Sequence, residues 1–132
     1  MSAPLRWIGV GLTDQGRVRA SNQDAYFISN EHGLWVVADG MGGHAGGEVA
    51  SRIAVERFAA LIRERNAGSE AAAWLHDTLL DANRTIHHES RQRPHLAGMG
   101  TTAVAVLQDG DFGHAVVGHV GDSRAYRYHA GA

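Results

Sequence analysis

Apolar positions along this chain recur with two different periods, and the period changes twice. Residues 7–12, 25–28 and 34–38 are short apolar runs set off by turn residues such as Glu31-His32-Gly33, and they read as three strands. The third is apolar on both faces, which predicts a central strand. From 47 to 65 the spacing lengthens: Ala50, Ile53, Ala54, Phe58, Leu61 and Ile62 fall on one helical stripe, with Arg52, Glu56 and Arg63 off it. Asn66-Ala67-Gly68 ends that helix. Ser69 is the predicted N-cap of a second, with the stripe Ala72, Leu75, Leu79, Ala82 and Ile86 and with Pro94 closing it. The short period then returns over 101–107, Asp109-Gly110-Asp111 signals a hairpin turn, and further strands are predicted at 112–120 and 123–128.

The predicted order is βββ-αα-βββ. It lacks the strand–helix alternation of a doubly wound sheet, so the expectation is an α+β fold of antiparallel sheet layers with the helices packed outside. Strand-like sequence continues to His129, with only Ala130-Gly131-Ala132 after it. The expected organisation is therefore a single domain over 1–132, truncated at its C-terminus.

Composition narrows the function. At 44% hydrophobic and 20% charged residues the 132-residue chain has globular rather than disordered character. A net charge of -2 gives no general pull toward nucleic acid or an anionic membrane, and neither is expected as a partner. The absence of cysteine excludes disulfides, thiolate catalysis and cysteine-ligated metals. No run approaches the roughly 18 apolar residues of a membrane span. A cytoplasmic protein is expected. Nine histidines are scattered, and each is read as a surface or packing residue.

The chemistry concentrates where the apolar run 34–38 delivers Asp39 to the start of Gly40-Met41-Gly42-Gly43-His44-Ala45-Gly46-Gly47, with a helical pattern beyond. A carboxylate at a strand end beside bare backbone suits a divalent cation and a phosphate. Asp14, Asp24 and Asp122 also stand at element ends, and Arg19 lies a short way before Asp24. Oxygen ligands without cysteine favour Mg²⁺ or Mn²⁺ over zinc, and a guanidinium near such a cation is suited to phosphate. Taken singly, each residue has a plainer role: Asp39 as a turn cap, Asp24 in an Asx-turn, Asp122 in a turn, Arg19 as a solvated charge. The glycines also meet a loose dinucleotide-binding pattern. That fingerprint needs a βαβ unit, whereas here one helix leads into another, and Asp39 would repel a pyrophosphate.

Arg19-Ala20-Ser21-Asn22-Gln23-Asp24, Ala38-Asp39-Gly40-Met41-Gly42-Gly43-His44, Gly100-Thr101-Thr102-Ala103 and Val120-Gly121-Asp122-Ser123-Arg124-Ala125-Tyr126 occur in this order. Together they resemble the successive motifs of the metal-dependent serine/threonine phosphatases, the PPM or PP2C-like family, in its bacterial form. The resemblance implies a four-layer α-β-β-α sandwich, incomplete here, and hydrolysis of phosphoserine and phosphothreonine on proteins by a water bridging two Mg²⁺ or Mn²⁺ ions. Asp39 would bridge the ions and the Gly40 carbonyl would complete one of them. Asp24 would act through coordinated waters with Gln23 beside it, Arg19 would grip the substrate phosphate, and Asp122 would help hold a third, weaker ion. Targets of a Ser/Thr kinase are the implied partners.

Two departures accompany the resemblance. Met41 stands where animal relatives place a histidine, so the general acid is unassigned, and His44 is read as a loop residue rather than its replacement. The later Asp-Gly and Asp-Asn motifs have no counterpart, and no acidic residue follows Asp122. The isolated polypeptide is accordingly expected to be poorly active and to associate through unpaired strand edges. The alternative is a catalytically incompetent fragment or pseudophosphatase that binds phosphoproteins.

Overall fold

Along β2 (Leu34–Met41) burial alternates residue by residue: Leu34, Val36, Ala38 and Gly40 are buried, while Val37, Asp39 and Met41 are exposed. The alternation sorts the strand into a helix-facing row and an open row, and it organises the rest of the molecule. A computed structural model describes residues 3–42, 45–66, 68–111 and 113–130. Its elements are β1 (Asp24–Ser29), β2, α1 (Gly46–Glu64), α2 (Ala71–Gln92), a single 3₁₀ turn (Pro94–Leu96), β3 (Gly100–Thr101), β4 (Ala103–Asp109) and β5 (His114–Val120). The sheet runs β1-β2-β4-β5, antiparallel at every step, with β3 extending the pairing onto the end of β2. As its pattern predicts, β2 is central.

Both helices cover one face of this sheet. Phe58 of α1, Leu34 and Val36 of β2, and Ala105 and Leu107 of β4 are fully buried between the layers. Phe58 meets Trp74 of α2 edge-on at 6.2 Å, and Arg57 donates to both oxygens of Asp81 at 2.6 and 3.3 Å, tying the helices together. The fold is α+β. Among the described residues it comprises one helix layer and one sheet layer of the four that the resemblance implies. No helix among them is long and apolar enough to cross a membrane.

The cap of α2 differs from the expectation by one residue. Glu70, not Ser69, occupies the N-cap, and its carboxylate accepts from the N–H groups of Ala72 and Ala73 at 3.0 and 2.7 Å. Two oxygens on a longer side chain satisfy two orphan donors at once. The inward stripe shifts accordingly, with Ala71 and Thr78 buried and Ala72 exposed. Glu70→Ala is expected to cost roughly 1 kcal/mol, seen as a fall of about 3–5 °C in the thermal midpoint.

Two predicted strands are corrected. Residues 7–12 form no strand: Ile8, Val10 and Leu12 are 80%, 92% and 94% exposed. This segment runs along the open face of the sheet, held by side chains instead of a ladder. Trp7 N–H donates to Gln108 Oε1 at 3.3 Å, Gly9 N–H to Asn30 Oδ1 at 2.7 Å, and the Trp7 ring stacks on Trp35. Residues 123–128 likewise form no strand, and Tyr126 and Tyr128 are exposed. A strand exists only with a hydrogen-bonding neighbour, and among the described residues neither segment pairs with β1 or β5, the two edges. The strand predicted at 112–120 is His114–Val120; Phe112 lies outside the described residues, as do Ala67, Gly43 and His44.

Candidate metal and phosphate site

The register of β1 against β2 sets Asp24 directly across from Asp39. Both carboxylates therefore project from the open face as a cross-strand pair, followed down the same face by Tyr26 opposite Val37. The row continues across the sheet. Gly40 pairs with Thr101 and Val37 with Val104, which places Thr102 across from Asp39; Ala103 pairs with Val120, which places Gly121 beside Thr102. One rung thus reads Asp24, Asp39, Thr102, Gly121.

Close backbone approach fixes the end of β2 against the start of α1. A Cβ on Gly40 would collide with the carbonyl of Gly47, and one on Gly47 would meet Gln23 Oε1 at 2.6 Å. Only glycine fits at either position. Gln23 closes this junction: its carbonyl accepts from Gly40 N–H at 3.0 Å, and its amide Nε2 donates to the Gly42 carbonyl at 3.4 Å.

The loop ahead of β1 is shaped by side-chain-to-backbone turns. Asp14 accepts from Gly16 N–H at 2.6 Å and Asn22 from Asp24 N–H at 3.0 Å, while Asn22 also donates to Thr13 at 2.8 Å. Asn22, rather than Asp24, is the Asx residue here. The Arg19 carbonyl accepts from Gln15 Nε2 at 2.9 Å. The result is an open polar cleft of about 180 Å³ lined by Asp14, Arg19, Gln23, Asp24 and Asp39 among others.

Electrostatics in the cleft are strained in one sense. The Asp39 carboxyl is held above the ordinary carboxylate range, first by partial desolvation, then by its hydrogen bond with Asp24 and that residue's charge. Arg19 opposes the shift and Asp122 adds to it. Two hard oxygen donors that repel one another across a rung, with a cationic side chain nearby, suit a divalent metal. The set is partial. No group of three or more His, Cys, Asp or Glu side chains able to hold a metal occurs among the described residues. Asp122 acts on Asp39 through its charge but does not line the cleft, because Thr102 and Gly121 intervene in the rung.

The sequence therefore pointed to Arg19, Gln23, Asp24, Asp39 and Gly40, and the fold brings these together, with Asp122 at one remove. It assigned nothing to Asn22 or Thr102. Asn22 had a visible signal, an amide side chain two residues before a strand-opening aspartate. Thr102 had none beyond its place in a motif, since its partner is 63 residues away.

Comparison with known proteins gives the family of this chain. Residues 14–132 match the family model of protein phosphatase 2C. The chain is 38% identical over 120 residues to the serine/threonine phosphatase stp of Listeria monocytogenes, which covers 86% of this chain and 47% of that protein. It is 40% identical over 114 residues to the serine/threonine protein phosphatase PstP of Mycobacterium tuberculosis, covering 86% of this chain and 21% of PstP. The crystal structure of the PstP catalytic domain in complex with two manganese ions superposes with a TM-score of 0.72 at 38% identity, over 84% of this chain and 46% of that one. Serine/threonine phosphatase Stp1 of Staphylococcus aureus superposes at 0.75 with 32% identity, over 94% and 52%. The chain belongs to the protein phosphatase 2C family. It spans about half the length of the Listeria relative.

Proposed function

We propose that this chain supplies the paired carboxylates and the phosphate-binding arginine of a divalent-metal-dependent phosphatase acting on phosphoserine and phosphothreonine in proteins. The observation that carries it is the Asp24–Asp39 pair in one rung with Arg19 lining the same cleft. Asp39, the adjacent Gly40 carbonyl and Asp24, with Gln23 beside it, would hold the divalent ions. Asp122, one residue beyond the rung, would serve a third, weaker ion. Bound Mg²⁺ or Mn²⁺ would lower the pKa of water in the cleft and offset charge on the phosphoryl oxygens. Arg19 presents a planar donor fork that orients the phosphate against the carboxylates. The PstP structure with two manganese ions supports this choice of metals. Phosphorylated targets of a Ser/Thr kinase, in the cytoplasm, are the substrates that this reading implies, with no part for nucleic acid or membrane.

Asp24 and Asp39 adjoin across the rung, and no third His, Cys, Asp or Glu side chain joins them in a metal-holding group among the described residues. The test compares Mn²⁺-dependent phosphate release from a phosphothreonine peptide by the 132-residue chain and by the same chain continued with the C-terminal half of the Listeria relative. The shorter chain is expected to be about 10²-fold or more slower, and EDTA to abolish release by both. Equal rates would show that the two carboxylates suffice. No release from either, or peptide binding without turnover by the longer one, would remove the phosphatase reading.

A further inference from the structure

Thr102 is 2% exposed and sits in the rung between Asp39 and Gly121. Its N–H donates to the Asp39 carbonyl at 2.9 Å. In an ordinary antiparallel pair the return bond would run from Asp39 N–H to the Thr102 carbonyl. Here Asp39 N–H donates instead to the Thr102 hydroxyl at 3.2 Å, and the Thr102 carbonyl accepts from the Thr101 hydroxyl at 2.7 Å. This exchange interrupts the ladder for one residue and divides the strand into β3 and β4. The same Thr102 hydroxyl contacts the hydroxyl of Ser123. Between them the chain turns at Gly121, whose φ is +91° and where a Cβ would lie 2.7 Å from Thr102 Cγ2. The turn therefore wraps tightly on Thr102, and Asp122 is the residue at its crest.

We propose that Thr102 is a positioning residue: its hydroxyl replaces a ladder bond to fix the backbone of Asp39 and, through Ser123, holds the Asp122 turn in the same frame. The two acidic segments belong to different strands, whose ladders set the rung, and the Thr102 hydroxyl adds a direct link between them at the point where the charges repel. A hydroxyl can accept from one segment while donating to the other, whereas a backbone carbonyl can only accept. This rests on the metal-binding reading of Asp39 given above, and the two are separable by experiment.

Thr102→Val keeps the shape and β-branching but has no hydroxyl, whereas Thr102→Ser keeps the hydroxyl and drops the methyl. Three readouts are taken on the 132-residue chain: hydrogen exchange of the Asp39 amide, Mn²⁺ affinity by calorimetry, and thermal midpoint. In Thr102→Val the Asp39 amide is expected to exchange about tenfold faster relative to the amide of Val36, through loss of its acceptor. Mn²⁺ affinity is expected to fall about 10- to 100-fold, the effect of removing a group that orients a ligand. Thr102→Ser is expected to restore both. Unchanged exchange and affinity in the valine variant would overturn the proposal. So would a serine variant as impaired as valine, since packing of the methyl would then be the cause. If wild type binds no Mn²⁺, the metal reading fails by itself, and the Asp39 exchange ratio alone decides the clamp. Should the valine variant not fold, Ser123→Ala at its half-buried position tests the outer link. A drop of about tenfold in Mn²⁺ affinity is expected, and no change would overturn it.

Discussion

Phe58→Ala is expected to remove about 3–5 kcal/mol of stability from a total of about 5–15 kcal/mol for a domain of this kind. The ring is fully buried between α1 and the sheet and meets Trp74 edge-on, so truncation opens a cavity at the point where both helices and β2 converge. The site depends on this packing because α1 starts where Gly47 presses on Gly40, next to Asp39. Chemical unfolding followed by circular dichroism gives the direct reading, with a lower midpoint at nearly unchanged slope. A midpoint equal to wild type would mean that the helix pair is not held by this core.

Asp39→Asn is expected to act in opposite directions with and without metal. Loss of outer-shell partners alone costs 10- to 100-fold in metal affinity, so removal of a direct carboxylate is expected to exceed about 100-fold for Mn²⁺. The thermal gain expected of wild type on adding Mn²⁺, about 2.7 kcal/mol at a hundred times Kd, should vanish. Metal-free behaviour runs the other way. A carboxyl held above its unfolded value binds its proton more tightly in the fold, so wild type loses stability as pH rises through the Asp39 range. The asparagine variant has no such loss. In EDTA it should match or exceed wild type near neutral pH and lose that advantage in acid, by less than about 1 kcal/mol because the cleft is open to solvent. Thermal scans at two pH values, with EDTA and with Mn²⁺, separate the two effects. A variant that still gains stability from Mn²⁺ would exclude Asp39 as a ligand.

Local periodicity carried the helices and β2 from sequence to structure almost unaltered. Ala50, Ala54, Phe58 and Ile62 are buried as their spacing requires, because a helix satisfies its own backbone and needs only one apolar stripe. Strands depend on a neighbour, and there the pattern misleads. Residues 7–12 have the composition of a strand, yet their amides go to Gln108 and Asn30. The candidate site divides along the same line. Asp24 and Asp39 are visible as carboxylates at strand ends, but their adjacency comes from the register of β1 on β2, which no short stretch encodes. Asp122 reads from sequence as one more carboxylate at an element end, tied by the resemblance to a third, weaker ion. In the fold it follows Gly121, on the far side of Thr102. The one-residue displacement of the α2 cap has a simpler cause: Glu70 spans two donors that the shorter Ser69 side chain does not reach.

Paramagnetic broadening by Mn²⁺ in the amide spectrum of this chain tests most directly whether the paired carboxylates form a metal site beside Arg19. At substoichiometric Mn²⁺ the amides of Arg19, Gln23, Asp24, Asp39 and Gly40 are expected to broaden first, with those of Asp122 and Ser123 following at higher concentration. Broadening that begins at the scattered histidines, or that spreads evenly over the acidic surface while the Asp24 and Asp39 amides stay sharp, would contradict it.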